Sequence, residues 1–113
     1  MIRPSADFNG LFGKHAVCMQ KVCREIYALD QVERVVLYGS YAKGEAREDS
    51  DIDLAVFIKN EDARLLEWFR RLARICSSAE VDIQVQPFHA YELFTPCGII
   101  EEIHEYGIEL RVK

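Results

Sequence analysis

Residues 39–54 read GSYAKGEAREDSDIDL, from Gly39 to Leu54. An apolar run, Val35-Val36-Leu37-Tyr38, leads into the Gly-Ser pair, and a second, Leu54-Ala55-Val56-Phe57-Ile58, leaves the far end. Both runs are short and rich in β-branched and aromatic residues, which predicts two strands joined by a polar, glycine-containing loop. Asp51 and Asp53 stand at the head of the second strand. Carboxylates at i and i+2 of a strand point to the same face, with Cα atoms roughly 6.6 Å apart. Two carboxylates so placed suit a hard divalent cation, which takes oxygen ligands and bridges to phosphates. The Gly-Ser pair at a turn offers backbone amides that could hold the phosphates themselves.

Working outward, the first strand is expected over Val32–Tyr38 and the second over Asp51–Ile58. Ile52, Leu54, Val56 and Ile58 share one face, purely apolar, that should meet the helices. Asp51, Asp53, Ala55 and Phe57 share the other. A third strand is expected over Val81–Gln86, ended by Pro87. Its Val81, Ile83 and Val85 form one face and Asp82, Gln84 and Gln86 the other. Beside the second strand, this would let Asp82 join Asp51 and Asp53.

Three helices complete the pattern. Leu11, Phe12, Val17, Met19, Val22, Cys23, Ile26 and Tyr27 recur at helical spacing, so residues 1 to about 30 read as helix. Asn60 reads as an N-cap, with Glu61 and Asp62 in the first turn and a core stripe of Leu65, Leu66, Phe69, Leu72, Ala73 and Cys76. Thr95-Pro96 reads as the start of a last helix, which Gly107 stops. A short closing strand follows, from the alternation of Ile108, Leu110 and Val112 with charged residues. Ser40–Ala46 forms a short helix or turn. The order α-β-(α)-β-α-β-α-β gives an α/β architecture with one sheet.

At 113 residues the chain is expected to be a single domain spanning residues 1–113. Half of it is hydrophobic and 29% is charged, a balance that folds rather than stays disordered. The net charge of −5 argues against strong stand-alone nucleic-acid binding, because phosphate neutralisation supplies most non-specific affinity. Cys18, Cys23, Cys76 and Cys97 have no zinc spacing and read as thiols of a reducing compartment. No secretion signal or membrane span is visible, so a soluble cytoplasmic protein is expected. His15 and His104 read as surface or packing residues, and Arg70, Arg71 and Arg74 as a solvated helix face.

The whole constellation, Gly39-Ser40, ten intervening residues, then Asp51-x-Asp53, is far more specific than the aspartate pair alone. Gly39, Ser40, Ala42, Gly44, Ser50, Asp51, Ile52, Asp53 and Leu54 carry it. On these residues the chain resembles the minimal nucleotidyltransferases of the DNA polymerase β superfamily. Val81-Asp82-Ile83 extends the likeness. The resemblance implies a nucleotidyltransferase-type α+β fold, with a single mixed sheet and helices packed mainly on one face. It implies that Gly39, Ser40 and Lys43 bind the phosphates of ATP or another NTP. It implies that Asp51, Asp53 and Asp82 are catalytic and ligate two Mg²⁺ ions for in-line transfer of a nucleotidyl group. Tyr41 departs from the pattern, standing where many relatives carry a basic residue.

Because a chain this short has little room to hold an acceptor, the resemblance also implies a partner: a helical HEPN-type protein, paired with this chain as toxin with antitoxin and modified by AMP on a tyrosine. His15, His89 and His104 lack an arginine at the upstream spacing of the HEPN ribonuclease, which makes this chain the transferase half. Transfer to a small molecule such as an aminoglycoside, and a non-catalytic nucleotide-binding scaffold, are the competing readings.

Overall fold

Strand β3 (Ile52–Ile58) is buried along almost its whole length, and the other elements are arranged about it. A computed structural model describes residues 1–95 and 97–112. In chain order the elements are β1 (Arg3–Ser5), α1 (Phe8–Phe12), a 3-10 turn (Gly13–His15), α2 (Ala16–Tyr27), β2 (Val32–Tyr38), α3 (Gly39–Ala42), β3, α4 (Leu65–Cys76), β4 (Ile83–His89), a second 3-10 turn (Ala90–Phe94), α5 (Ile99–Tyr106) and β5 (Ile108–Leu110). They form one mixed five-stranded sheet in the order β1-β5-β2-β3-β4. β3 runs antiparallel to β2 and, through the α4 crossover, parallel to β4.

The alternation read for β3 holds. Ile52, Leu54, Val56 and Ile58 pack with Met19, Val22 and Ile26 of α2 and Trp68 and Leu72 of α4. Ala55 and Phe57 face the other way, into a smaller cluster with Val36, Phe88, Leu93, Ile100 and Ile103. Helices α1, α2 and α4 thus cover one face, while α5 and the second 3-10 turn cover part of the other. A strand buried on both sides reads as a continuous apolar run, as Leu54–Ile58 does. Tyr27 ties α2 to the sheet: its hydroxyl donates to the Leu110 carbonyl at 2.5 Å and accepts from the Val35 amide at 3.0 Å.

Several elements differ from the sequence reading. Residues 1–30 are not one helix. Arg3–Ser5 pairs parallel with β5, and Gly13, at φ +53°, separates α1 from α2. The third strand does not end at Pro87 but continues to His89. β4 is the sheet's edge, where a proline's missing donor can face away from the ladder without cost. Asn60 does not cap α4: its side chain accepts from the Asp62 amide at 2.9 Å in a local turn, and the helix begins only at Leu65, after extended Arg64.

The stripe of α4 that faces the core is Trp68, Leu72 and Cys76. Leu66 and Phe69 stay 62% and 45% exposed, since the larger indole takes the inward position that Phe69 was expected to fill. Arg71 lies over the indole, 4.4 Å from its ring centre. The expected start of the last helix at Pro96 lies outside the described residues; α5 begins at Ile99, after Gly98. His104 is half-buried rather than on the surface, its ring Nε2 lying 2.6 Å from the Leu93 carbonyl and joining α5 to the preceding turn.

Candidate active site

β2 and β3 are antiparallel, so the end of one and the start of the other meet, with Tyr38 opposite Asp53. The chain leaves β2 at Gly39, turns through four residues of α3, and returns by a loop to Asp51. Gly39 has φ +74°, a conformation that L side chains rarely adopt. Steric room demands glycine as well. A Cβ there would run into the Asp53 carboxylate, lying 3.0 Å from its carboxyl carbon. The turn and the aspartate are therefore packed on each other. This contact explains why a glycine and an aspartate fourteen positions apart belong to one motif.

The returning loop is held by its own bonds. The Glu45 amide donates to the Ser40 carbonyl at 2.9 Å, and the Arg47 amide donates to the Ser50 hydroxyl at 2.7 Å. Ser50 thus fixes the approach to Asp51. Ser40 is half-buried at the start of α3, where the first amides of a helix have no partner within it. Lys43, at the far end of α3, turns toward α5. Its Nζ lies 3.4 Å from Glu102 Oε1 and 5.1 Å from the centre of the Tyr106 ring.

The electrostatics mark Asp53. Its pKa is raised above the usual carboxylate value, first by burial, then by the Asp51 and Glu102 charges. Tyr38 is pushed up to about 12 by burial and by Asp53 and Glu102. Negative charges crowded this way favour a cation between them, and oxygen donors suit a hard divalent ion. Asp51 and Asp53 supply oxygen donors of the kind that would suit such an ion.

Asp82 precedes β4, the strand next to β3. It is exposed at the mouth of β4, and its carbonyl accepts from the Ile52 amide at 2.9 Å. The register Asp53 to Gln84 sets Asp82 beside Asp51, one step along the same face. Among the described residues no three histidine, cysteine, aspartate or glutamate side chains are gathered closely enough to hold a metal together. Two residues of the neighbourhood went unread in the sequence, Tyr38 and Glu102. Nothing in the spacing of Glu102 along the chain ties it to Lys43 or Asp53. Cys23 and Cys76 are buried, with thiols pushed up to about 12 and about 11, chiefly by burial.

The family profile described as polymerase β, nucleotidyltransferase, matches residues 20–110. That span takes in the Gly-Ser turn, both aspartates and Asp82. The chain belongs to the polymerase β nucleotidyltransferase family. A relative from Methanocaldococcus jannaschii, named provisionally as a protein adenylyltransferase, is 32% identical over 83 residues, covering 72% of this chain and 81% of its own length. Among solved structures, a provisionally assigned nucleotidyltransferase from Sulfolobus solfataricus superposes with a TM-score of 0.66 at 13% identity, over 90% of this chain and 84% of that one. A toxin–antitoxin structure with AMP-PNP superposes at 0.52 and 21% identity, over 86% and 73%. Likeness at these identities concerns the fold. Together with the family match it makes this chain a nucleotidyltransferase enzyme with a mixed-sheet α+β fold. Among the described residues no helix is long and apolar enough to cross a membrane.

Proposed function

We propose that the chain transfers a nucleotidyl group, AMP from ATP, to a hydroxyl of a partner protein, a tyrosine of a helical HEPN-type toxin for which it is the antitoxin. The observation that carries the transfer reading is the packing of Gly39 on the Asp53 carboxylate, which supports reading the turn and the carboxylates as one site. Adenylate as the transferred group is supported by the relative named as a protein adenylyltransferase. The toxin partner is supported by the fold shared with a toxin–antitoxin structure.

In this reading Gly39 and the Ser40 hydroxyl receive the β- and γ-phosphates, and Lys43 leaves Glu102 to pair with them. Asp51 and Asp53 would hold Mg²⁺, with Asp82 as a third ligand. Two bound Mg²⁺ ions would supply charge neutralisation at the α-phosphate and the leaving group. The acceptor oxygen attacks the α-phosphorus, the bond to the α–β bridging oxygen breaks, and pyrophosphate leaves in line. Asp82, nearest the open edge of the sheet, receives the hydroxyl proton.

The test is incubation with Mg²⁺ and each α-labelled NTP, with and without a candidate helical partner. Label from ATP should appear on the partner and vanish with Asp51→Ala or Asp53→Ala. Undiminished labelling in both variants would remove the assignment of the carboxylate pair. Full activity in Asp82→Ala would remove Asp82 alone.

A further inference from the structure

A cleft bordered by basic residues lies beside α3. Asp53 shares its strand face with Ala55 and Phe57, which pack toward α5. The cleft in question opens on the other side, where α3 meets α1 and the β1–β5 edge. Its walls include Ala42 and Ile108, which belong to the core under α1 and α2. It encloses about 450 Å³, within the range of small-ligand sites. Leu11, Ile108 and the half-buried Tyr41 supply apolar surface, and Arg3, Lys43 and Arg47 line the same space.

Three cations converging on one cleft stand out in a chain of net charge −5. Among the described residues neither Arg3 nor Arg47 makes an ion pair. Of the acids near by, Glu48 pairs with Lys14 at 3.7 Å and Glu102 with Lys43, itself one of the three cations, at 3.4 Å, while Glu45 stands between Gly44 and Ala46 of the lining. Glu105 lines the adjoining hollow that Arg3 and Lys43 also share. Guanidinium groups match phosphate oxygens in fixed pairs of hydrogen bonds, while a lysine acts as a mobile point charge. Lys43 is placed to act on either side of α3, since it borders the cleft and also meets Glu102.

We propose that this cleft is a polyphosphate site separate from the Asp51–Asp53 site, binding pyrophosphate or the triphosphate of a nucleotide without a divalent metal. Arg3 and Arg47 grip the phosphates, and the bound anion draws Lys43 from Glu102. Tyr41 gives the site a flat apolar wall. Binding that depends on exposed cations weakens as salt rises.

Calorimetry in EDTA at low salt, with pyrophosphate, ATP and AMP as separate probes, tests this. Pyrophosphate and ATP should bind the wild-type chain and the Ser40→Ala variant alike. Both should bind at least about tenfold more weakly to Arg3→Ala/Arg47→Ala, and AMP should be weakest throughout. Equal affinity for pyrophosphate and ATP means that the phosphates alone are recognised. Tighter ATP means that the Tyr41 wall takes the base. Arg47→Glu, in an exposed loop that no strand depends on, separates loss of binding from loss of folding and should weaken both ligands. Absence of metal-free binding in the wild-type chain, or unchanged affinity in the arginine variants, overturns the proposal.

Discussion

β3 has two faces with opposite duties. On one, Ile52, Leu54, Val56 and Ile58 are fully buried beneath α2 and α4. On the other, Ala55 and Phe57 are equally buried beneath α5, but Asp53 projects past the end of that cover, half-buried beside Asp51 and within electrostatic reach of Glu102. The first face lowers the free energy of the fold. The second ends in a cluster of like charges that raises it. Strand alternation brings both within one residue of each other, so a rigid core holds the aspartates while they remain a cost to it. Substitutions on the two faces should therefore move activity and stability in different directions.

The largest effect is expected from Asp53→Asn. Nucleotidyl transfer should fall by about three orders of magnitude, about 4 kcal/mol of transition-state stabilisation. Stability should move the other way. The folded-state pKa of Asp53 is raised, so the folded protein binds more protons than the unfolded chain just above the ordinary carboxylate range. Wild-type stability therefore falls as pH rises through that window. In EDTA, Asp53→Asn should melt above wild type at neutral pH and converge with it in acid. Thermal melts across that range would contradict the comparison if the variant were less stable at neutral pH.

On the opposite face, Leu54→Ala should cost about 2–5 kcal/mol in urea unfolding. The protein that stays folded should keep its transfer activity per molecule. Loss of activity with stability intact would mean that the faces are not independent.

Gly39→Ala joins the two effects. The left-handed backbone alone costs about 1–2 kcal/mol, and the added methyl group must displace the Asp53 carboxylate. Both stability and transfer rate should drop, the rate by about tenfold or more. The smallest effect belongs to Glu102→Gln. Its half-exposed pairing with Lys43 contributes no more than about 1 kcal/mol. Removing its charge should nonetheless lower the Asp53 titration midpoint seen by carboxyl NMR. An unmoved midpoint would take α5 out of the site.

Pattern alone carried the region from Val32 to Ile58. Its apolar runs are short, the β3 alternation is unbroken, and the turn between is marked by glycine and serine. The outer elements were less legible for separate reasons. Arg3–Ser5 has no strand signal of its own and exists because β5 offers it an edge. Pro87 reads as a terminator unless β4 is known to be the sheet's border. In α4, Trp68 and Phe69 are adjacent apolar residues, and only the angle at which the helix meets the sheet decides which is buried.

By itself the sequence determined the Gly-Ser turn, the Asp51-x-Asp53 motif at the head of β3 and the alternation of strands with helices from β2 onward. These follow from residue type and local periodicity, which need no distant contact. Tertiary structure decided the rest: that a side chain at Gly39 would strike Asp53, that Glu102 of α5 faces both Lys43 and the carboxylates, and that Arg3, Lys43 and Arg47 border one cleft. Lys43 and Glu102 lie 59 residues apart in the chain. No local pattern encodes such a meeting, because it depends on how helices settle on the sheet and not on the spacing of the residues themselves.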